Sequence, residues 1–293
     1  MGVTHLDQPP TGWRLWLAAV RPRTLTIAVA PVMVGAGLAF SVSHTLHVLP
    51  LAATLLGAVL IQAGTNLWND VSDALRGGDQ PMRQGPPRVT ALGWATPERV
   101  RRAALVSFAA AALVGLYLAM LGGWPVVGLG LASLAAGWAY SGGPKPISYT
   151  ALGEMFVLAF FGMGAVAGTV WLQLHGLPPQ VWPLGLAMGL PAAAVLMANN
   201  YRDMEADRLV GRRTLAIRLG PAGSKAVYAI LVVAPFAMLD WLALAAVPLA
   251  VKLVWDFSTT PRGPAFNGIL AATARFQLVL AALVVGGLAY AAY

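Results

Sequence analysis

Six of the eleven carboxylates in this 293-residue chain fall in two short stretches. The first runs Asn66-Leu-Trp-Asn69-Asp70-Val-Ser-Asp73 and continues to Asp79; the second runs Asn199-Asn-Tyr-Arg-Asp203-Met-Glu205-Ala-Asp207. Asn69 and Asp73 are four residues apart, as are Asn199 and Asp203, and Asp203 and Asp207. On a helix such pairs stack on one face, and like charges there repel. The pattern is unfavourable unless a cation sits among the acids. Hard oxygen donors from Asp and Asn suit Mg²⁺, which keeps several waters and takes phosphate oxygens from a substrate. The plainer alternative is a pair of solvated helix ends bridged to arginines. Two clusters that share an Asn-x₃-Asp spacing weigh against it.

Basic residues alternate with these acids: Arg83, Arg88, Lys145, Arg208, Arg212 and Arg213. Carboxylates and cations around one mouth suit a diphosphate, held through the metal and directly by Arg or Lys. For any single arginine the competing explanation is topology, because cytoplasmic loops are basic in any case. Cysteine is absent, which excludes a disulfide framework, a thiolate metal site and a Cys nucleophile. His44 and His47 stand three apart with no carboxylate nearby and read as a loop.

The elements that carry the clusters must cross a membrane. The chain is 58% hydrophobic and 10% charged, against roughly 25% charged in a soluble domain. A crossing helix needs about 20 apolar residues. Residues 24–69, 103–144 and 155–201 carry no charge, and each holds two spans with a turn near 43–50, 122–125 and 176–179. Residues 268–293 make a last span. The stretch 226–251 has Asp240 at its middle and reads either as one span with a buried acid or as two turning at Asp240. Charge decides: with two, nine spans place all 19 Lys and Arg on one side. The positive-inside rule then puts the N-terminus in the cytoplasm and the C-terminus outside, with Trp124, Trp171, Trp182 and Trp241 as outer interfacial anchors. The net charge of +8 reflects these inner loops facing anionic lipid and is no sign of a nucleic-acid partner. Residues 1–12 read as a loose cytoplasmic tail without a signal-peptide pattern, and 13–293 as a single transmembrane domain. Both acid clusters then lie at cytoplasmic ends of spans, the second and the sixth.

These residues carry a resemblance. The chain is similar to the UbiA superfamily of intramembrane aromatic prenyltransferases, whose mark is two Asp-rich motifs on spans two and six. Matching stretches are Arg21-Pro22-Arg23-Thr24, Asn66 to Asp73, Gly77-Gly-Asp79, and Arg83-Gln-Gly85-Pro86-Pro-Arg88-Val-Thr90. Further along come Tyr140-Ser-Gly-Gly-Pro-Lys145-Pro, Gly153-Glu154, Asn199 to Asp207, Gly211-Arg-Arg-Thr214 to Gly220, and Asn267 to Arg275. Asp79 follows Asp73 by six residues rather than four, which resembles the menaquinone-pathway branch, whose acceptor is 1,4-dihydroxy-2-naphthoate. Ala91-Leu-Gly-Trp stands where a more polar stretch is usual, and Val71-Ser72 where an aromatic is common.

The resemblance implies an all-α fold of nine transmembrane helices around a central cavity open to lipid. It implies a cell inner- or plasma-membrane enzyme with its active site facing the cytoplasm. Asn69, Asp70, Asp73, Asp79, Asn199, Asp203 and Asp207 would hold Mg²⁺ against a polyprenyl diphosphate. Asp73, Asp203, Asp207 and Asn69 would be catalytic, and Arg83, Arg88, Lys145, Arg212 and Arg213 would contact the diphosphate. The aromatic acid would attack the allylic cation and lose CO₂, giving demethylmenaquinol. Glu154 either orients the acceptor or pairs with an arginine. Another acceptor such as 4-hydroxybenzoate is the nearest alternative. A transporter of an anionic or lipid-linked substrate is the non-enzyme alternative, disfavoured because the acids cluster at one interface while span middles are apolar.

Overall fold

The computed structural model describes residues 10–77, 84–85 and 88–292. Two expected site residues, Asp79 and Arg83, lie outside the described residues. All regular structure within them is helical. A short helix α1 (Trp13–Val20) leads through Arg21 into α2 (Pro22–Ser43), whose first residue is a proline that costs the helix no hydrogen bond at N1. Next come α3 (Val48–Leu75), α4 (Pro97–Gly122) and α5 (Trp124–Ser141). Thr96 caps α4 by accepting a hydrogen bond from the Arg99 N–H, and Pro97 and Glu98 fill the first turn as helix starts prefer. A crossing follows in three pieces: α6 (Gly153–Leu158), a π-turn (Ala159–Gly164) and α7 (Ala165–Leu174). Then come α8 (Val181–Arg202), the short α9 (Met204–Leu209), α10 (Leu215–Val233), α11 (Val247–Thr259) and α12 (Phe266–Ala291).

Eight helical stretches among the described residues are long and apolar enough to cross a bilayer. They include Leu215–Ala237 and Trp241–Thr259, so residues 226–251 form two stretches and not one. Asp240 stands between them and accepts a hydrogen bond from the Leu242 N–H at 3.1 Å. The expected ninth segment is α5, an uncharged helix of 18 residues that is not among the eight.

The most buried crossing is α8. It packs on the π-turn, α10, α12, α6, α2 and α7. The largest apolar core lies on its far side, where Tyr201, Met204, Tyr228, Phe257 and Phe266 meet; the Tyr228 and Phe257 rings stack 3.9 Å apart. In lipid there is little hydrophobic drive between helices, so close backbone approach through small residues carries the packing. The π-turn meets α8 this way. A Cβ at Gly189 would lie 2.8 Å from the Leu158 carbonyl oxygen and 3.1 Å from its Cα, and one at Gly162 would collide with the Gly185 carbonyl and the Gly189 backbone. On the near side of α8, a cavity of about 530 Å³ opens between α2, α3, α4, α5, α7 and α8. The central cavity is therefore framed by the first two-thirds of the chain, with α12 reaching it through Leu270.

Because both neighbours of Gly189 are backbone atoms, they cannot rotate away. Gly189→Val should destabilise the protein by about 1–3 kcal/mol, read as a lowered melting temperature in detergent. An unchanged melting temperature would mean the π-turn and α8 do not approach this closely.

Candidate active site

The C-terminal half of α3 presents two polar faces, and each does a different job. On the first, Asn66 donates to the Val20 carbonyl at 2.8 Å and to Thr24 Oγ1 at 3.0 Å, which latches the start of α2. One turn on, Asn69 donates to Ser141 Oγ at 2.7 Å, and Arg76 donates to the Ser141 and Gly143 carbonyls. These bonds tie α3 to the end of α5. Asp73 comes next on the same face and is fully buried. It meets Arg88 Nη1 at 2.5 Å and Arg212 Nη2 at 2.7 Å.

Asp70 faces elsewhere. Its Oδ2 accepts the Val89 N–H at 3.1 Å and its Oδ1 the Thr90 N–H at 3.0 Å, with Arg21 Nη2 3.9 Å away. Expected as a metal ligand, Asp70 clamps the turn that follows Arg88 through both of its carboxylate oxygens. The tight turn continues with the Trp94 N–H donating to the Val89 carbonyl, and Gly93 supplies the positive φ. Trp94, in the apolar stretch at 91–94, packs with Leu15, Ala19, Leu67 and Val71 in a small satellite core under α1. Held at both ends, the turn delivers the buried Arg88 to Asp73.

The second cluster sits where α8 gives way to α9. The Asp207 N–H donates to the Asp203 carbonyl at 2.8 Å, so the acids stay near helical register across the break. Gly211, at φ +76, reverses the chain, and the Arg212 N–H returns to the Asp207 carbonyl at 3.0 Å. A side chain other than glycine is strained at that φ. The reversal throws the Arg212 side chain back over its own helix. Its Nη1 lies 2.9 Å from Asp207 Oδ1 while its Nη2 reaches Asp73, and its guanidinium covers the Tyr149 ring at 4.8 Å. Asp203 is held by Arg202, with Nε at 3.0 Å and Nη2 at 2.5 Å. Arg202 also donates to Asn199 Oδ1 at 2.8 Å and to Asn267 Oδ1 at 2.7 Å.

The two acid stretches therefore meet across one guanidinium, which joins Asp73 to Asp207, 134 residues further along the chain. Asn69, Asn199, Arg88 and Arg212 all line the polar end of the cavity. Its remaining wall is apolar: Ile27, Leu116, Leu134, Phe156, Phe160 and Leu196 are among the lining residues. Burial, with Asp203 and Asp73 nearby, pushes the Asp207 carboxyl up to about 6 against the opposing pull of Arg212. Burial acts against the charge on Arg212, and Asp73 and Asp207 outweigh it, so its pKa is raised. Asp207 Oδ2 is buried without a hydrogen-bond partner among the described residues. A buried carboxylate oxygen with no donor is a place for a proton or a cation, and carboxylate and amide oxygens are the donor set that Mg²⁺ takes.

Lys145 and Arg213, both expected at the diphosphate, have exposed side chains away from the cavity lining; the Arg213 backbone N–H instead donates to the Tyr149 carbonyl at 2.9 Å. Among the described residues Glu154 pairs with neither arginine nor lysine. Its Oε1 accepts from Asn200 Nδ2 at 3.0 Å, and Asn200 lines the cavity beside Tyr140. Sequence reasoning passed over Arg202, Tyr149 and Asn267. Arg202 stood inside the second motif, and its neighbourhood to Asp203 was the available signal.

Residues 28–266 match the UbiA prenyltransferase family. The chain belongs to that family. It is 36% identical to a 1,4-dihydroxy-2-naphthoate octaprenyltransferase of Mycobacterium tuberculosis over 94% of this chain and 97% of that one. It is 37% identical to a 1,4-dihydroxy-2-naphthoate octaprenyltransferase of Escherichia coli over 84% and 85%. Among solved UbiA folds, an Archaeoglobus fulgidus UbiA homolog bound to DMAPP and Mg²⁺ superposes with a TM-score of 0.60 at 15% identity, covering 91% of this chain and 99% of that one. The apo UbiA homolog of Aeropyrum pernix reaches 0.63 at 14% identity, covering 91% and 96%. At such identities the likeness is one of fold. This UbiA chain is a multi-pass membrane prenyltransferase.

The clamp made by Asp70 gives a direct test. Asp70→Ala removes the acceptor for two backbone N–H groups, each charge-assisted bond being worth about 1.5–3 kcal/mol. Limited proteolysis should then cut within residues 88–96, where the unaltered protein resists. An unchanged digestion pattern would mean the turn is held by something else.

Proposed function

We propose that this chain transfers a polyprenyl group from its diphosphate to 1,4-dihydroxy-2-naphthoate with loss of CO₂, giving demethylmenaquinol in the menaquinone pathway. The observation that carries the reading is the joining of Asp73 and Asp207 through Arg212 at the polar end of a large apolar cavity. The acceptor follows from the similarity to the two naphthoate enzymes named above.

Asp73, Asp203 and Asp207, helped by the amide oxygens of Asn69 and Asn199, would hold Mg²⁺. The bound ion supplies charge neutralisation on a diphosphate as its bond to carbon weakens. The chain's own cations act at the same place. Arg88 and Arg212 stand at the cavity's polar end and would donate to phosphate oxygens, a preorganised term that needs no rearrangement during reaction. The apolar wall takes the first isoprene units and keeps water from an allylic cation, so the acceptor ring is the nucleophile it meets. Asn200, fixed by Glu154, and Tyr140 are placed to contact that ring. Asp79, Arg83, Lys145 and Arg213 would serve the diphosphate from the mouth.

In the bilayer, α5 would be the ninth span, closing the ring beside α3 and α4. The domain would run over residues 13–293, with 1–12 as a tail. The excess of Lys and Arg on the side of the acid motifs supports a cytoplasmic active site and N-terminus, an outer C-terminus and residence in the cell membrane. Acids gathered at one interface also favour an enzyme over a transporter.

Purified protein supplied with Mg²⁺, a polyprenyl diphosphate and 1,4-dihydroxy-2-naphthoate should release prenylated product and CO₂ in equal amounts. Asp73→Asn and Asp203→Asn should each lower turnover by at least about 100-fold when assayed well below the melting temperature of each variant in detergent. Near-normal turnover in both variants would defeat the metal-site assignment. Preferential prenylation of 4-hydroxybenzoate in a mixture would move the enzyme to the other acceptor.

A further inference from the structure

The acids at the site are not arranged as an open cage. Among the described residues no three His, Cys, Asp or Glu side chains group as a metal cluster. Arginines stand between them. Asp73 lies against Arg88 and Arg212, Asp207 against Arg212, and Asp203 against Arg202. Three buried carboxylates thus face three guanidiniums within the described residues, and the formal charges cancel.

That balance decides what can enter. A bare divalent ion adds two positive charges beside these guanidiniums, and to sit between Asp73 and Asp207 it must push Arg212 off both. A guanidinium left buried and unpaired is costly, on the scale of about 3–5 kcal/mol for a broken buried pair. A diphosphate arriving alone brings negative charge toward Asp73 and Asp207. When metal and diphosphate arrive together their charges offset each other. The phosphate oxygens then offer Arg212 the planar, two-point acceptor that it gives up on the carboxylates. The Tyr149 ring beneath the guanidinium, at 4.8 Å, gives it a surface to rest on that neither state removes.

We infer that Arg212 holds the metal's place in the resting enzyme, so that divalent metal and prenyl diphosphate load as a coupled pair while Arg212 passes from Asp73 and Asp207 to the phosphate. The inference rests on the metal site proposed above and adds a binding order to it. Arg212 then opposes metal when substrate is absent and supports it when substrate is present. A residue that only bound diphosphate would not oppose metal.

Protein-bound Mn²⁺ is counted by electron paramagnetic resonance, with and without geranyl S-thiolodiphosphate, an analogue that does not react. In the unaltered protein the analogue should tighten Mn²⁺ by about tenfold, within the usual range of site coupling. In Arg212→Gln, Mn²⁺ alone should bind about tenfold tighter than it does to the unaltered protein, and the gain from the analogue should shrink to less than about twofold. Arg212→Lys should fall between, because one ammonium cannot span both acids; it also serves should the Gln variant fail to fold. Mn²⁺ binding that is unchanged or weaker in both Arg212 variants, or coupling that survives in both, overturns the inference. Asp73→Asn separates the two readings. If it abolishes Mn²⁺ binding while neither Arg212 variant gains any, the placeholder role alone is lost. If Asp73→Asn binds Mn²⁺ as the unaltered protein does, the metal assignment falls and the placeholder with it.

Discussion

One guanidinium shared by two carboxylates far apart in the sequence is the contact on which the site depends. Asp73 closes α3, Asp207 lies on α9, and Arg212 spans them with its two terminal nitrogens at 2.7 and 2.9 Å. None of these groups tolerates burial alone. Asp73 is fully buried, so removing both arginines beside it would strand a charge in a poorly solvated place. The neighbouring structure serves that pair. Asp70 fixes the turn that brings Arg88, Gly211 permits the reversal that aims Arg212, and the Tyr149 ring sits beneath it.

Helix ends make such a site possible in lipid. Span middles must keep every backbone group bonded internally and their surfaces apolar. Charged groups are least costly at the ends, near water. Both acid stretches lie at helix ends, and the cavity grades from Arg, Asn and Tyr side chains at its polar end to Phe, Leu and Ile along its wall. The same gradient suits a substrate with an anionic head and a hydrocarbon tail. The Gly-to-backbone contacts of the π-turn and α8 keep that wall in place with little side-chain bulk.

Much of this was legible in the chain. Charge-free runs located the crossings, and the placement of Lys and Arg split residues 226–251 at Asp240, where the two stretches turn. The i,i+4 spacing put Asn69 and Asp73 on one face, and both reach the site. The same spacing logic could not orient Asp70, one residue further around α3. Its role depends on the Val89 and Thr90 amides, which come from a loop whose path no periodicity predicts. Lys145 and Arg213 have exposed side chains outside the cavity lining, a direction that charge near a motif does not reveal. α5 was read as a span from its lack of charge; eight other helices stand as candidate crossings, and α5 is not among them. Arg202, buried between Asp203, Asn199 and Asn267, looked like one more cytoplasmic cation.

The convergence of the two acid stretches can be measured in this cysteine-free chain. Asp73→Cys and Asp207→Cys are introduced together, with a protease site in the turn after Leu174. Treatment with a short bifunctional maleimide followed by cleavage should leave the two halves joined on a denaturing gel, since the two side chains approach one guanidinium from either side. Halves that part after this treatment, in folded protein whose two thiols each react with a monofunctional maleimide, would contradict the arrangement from which the rest follows.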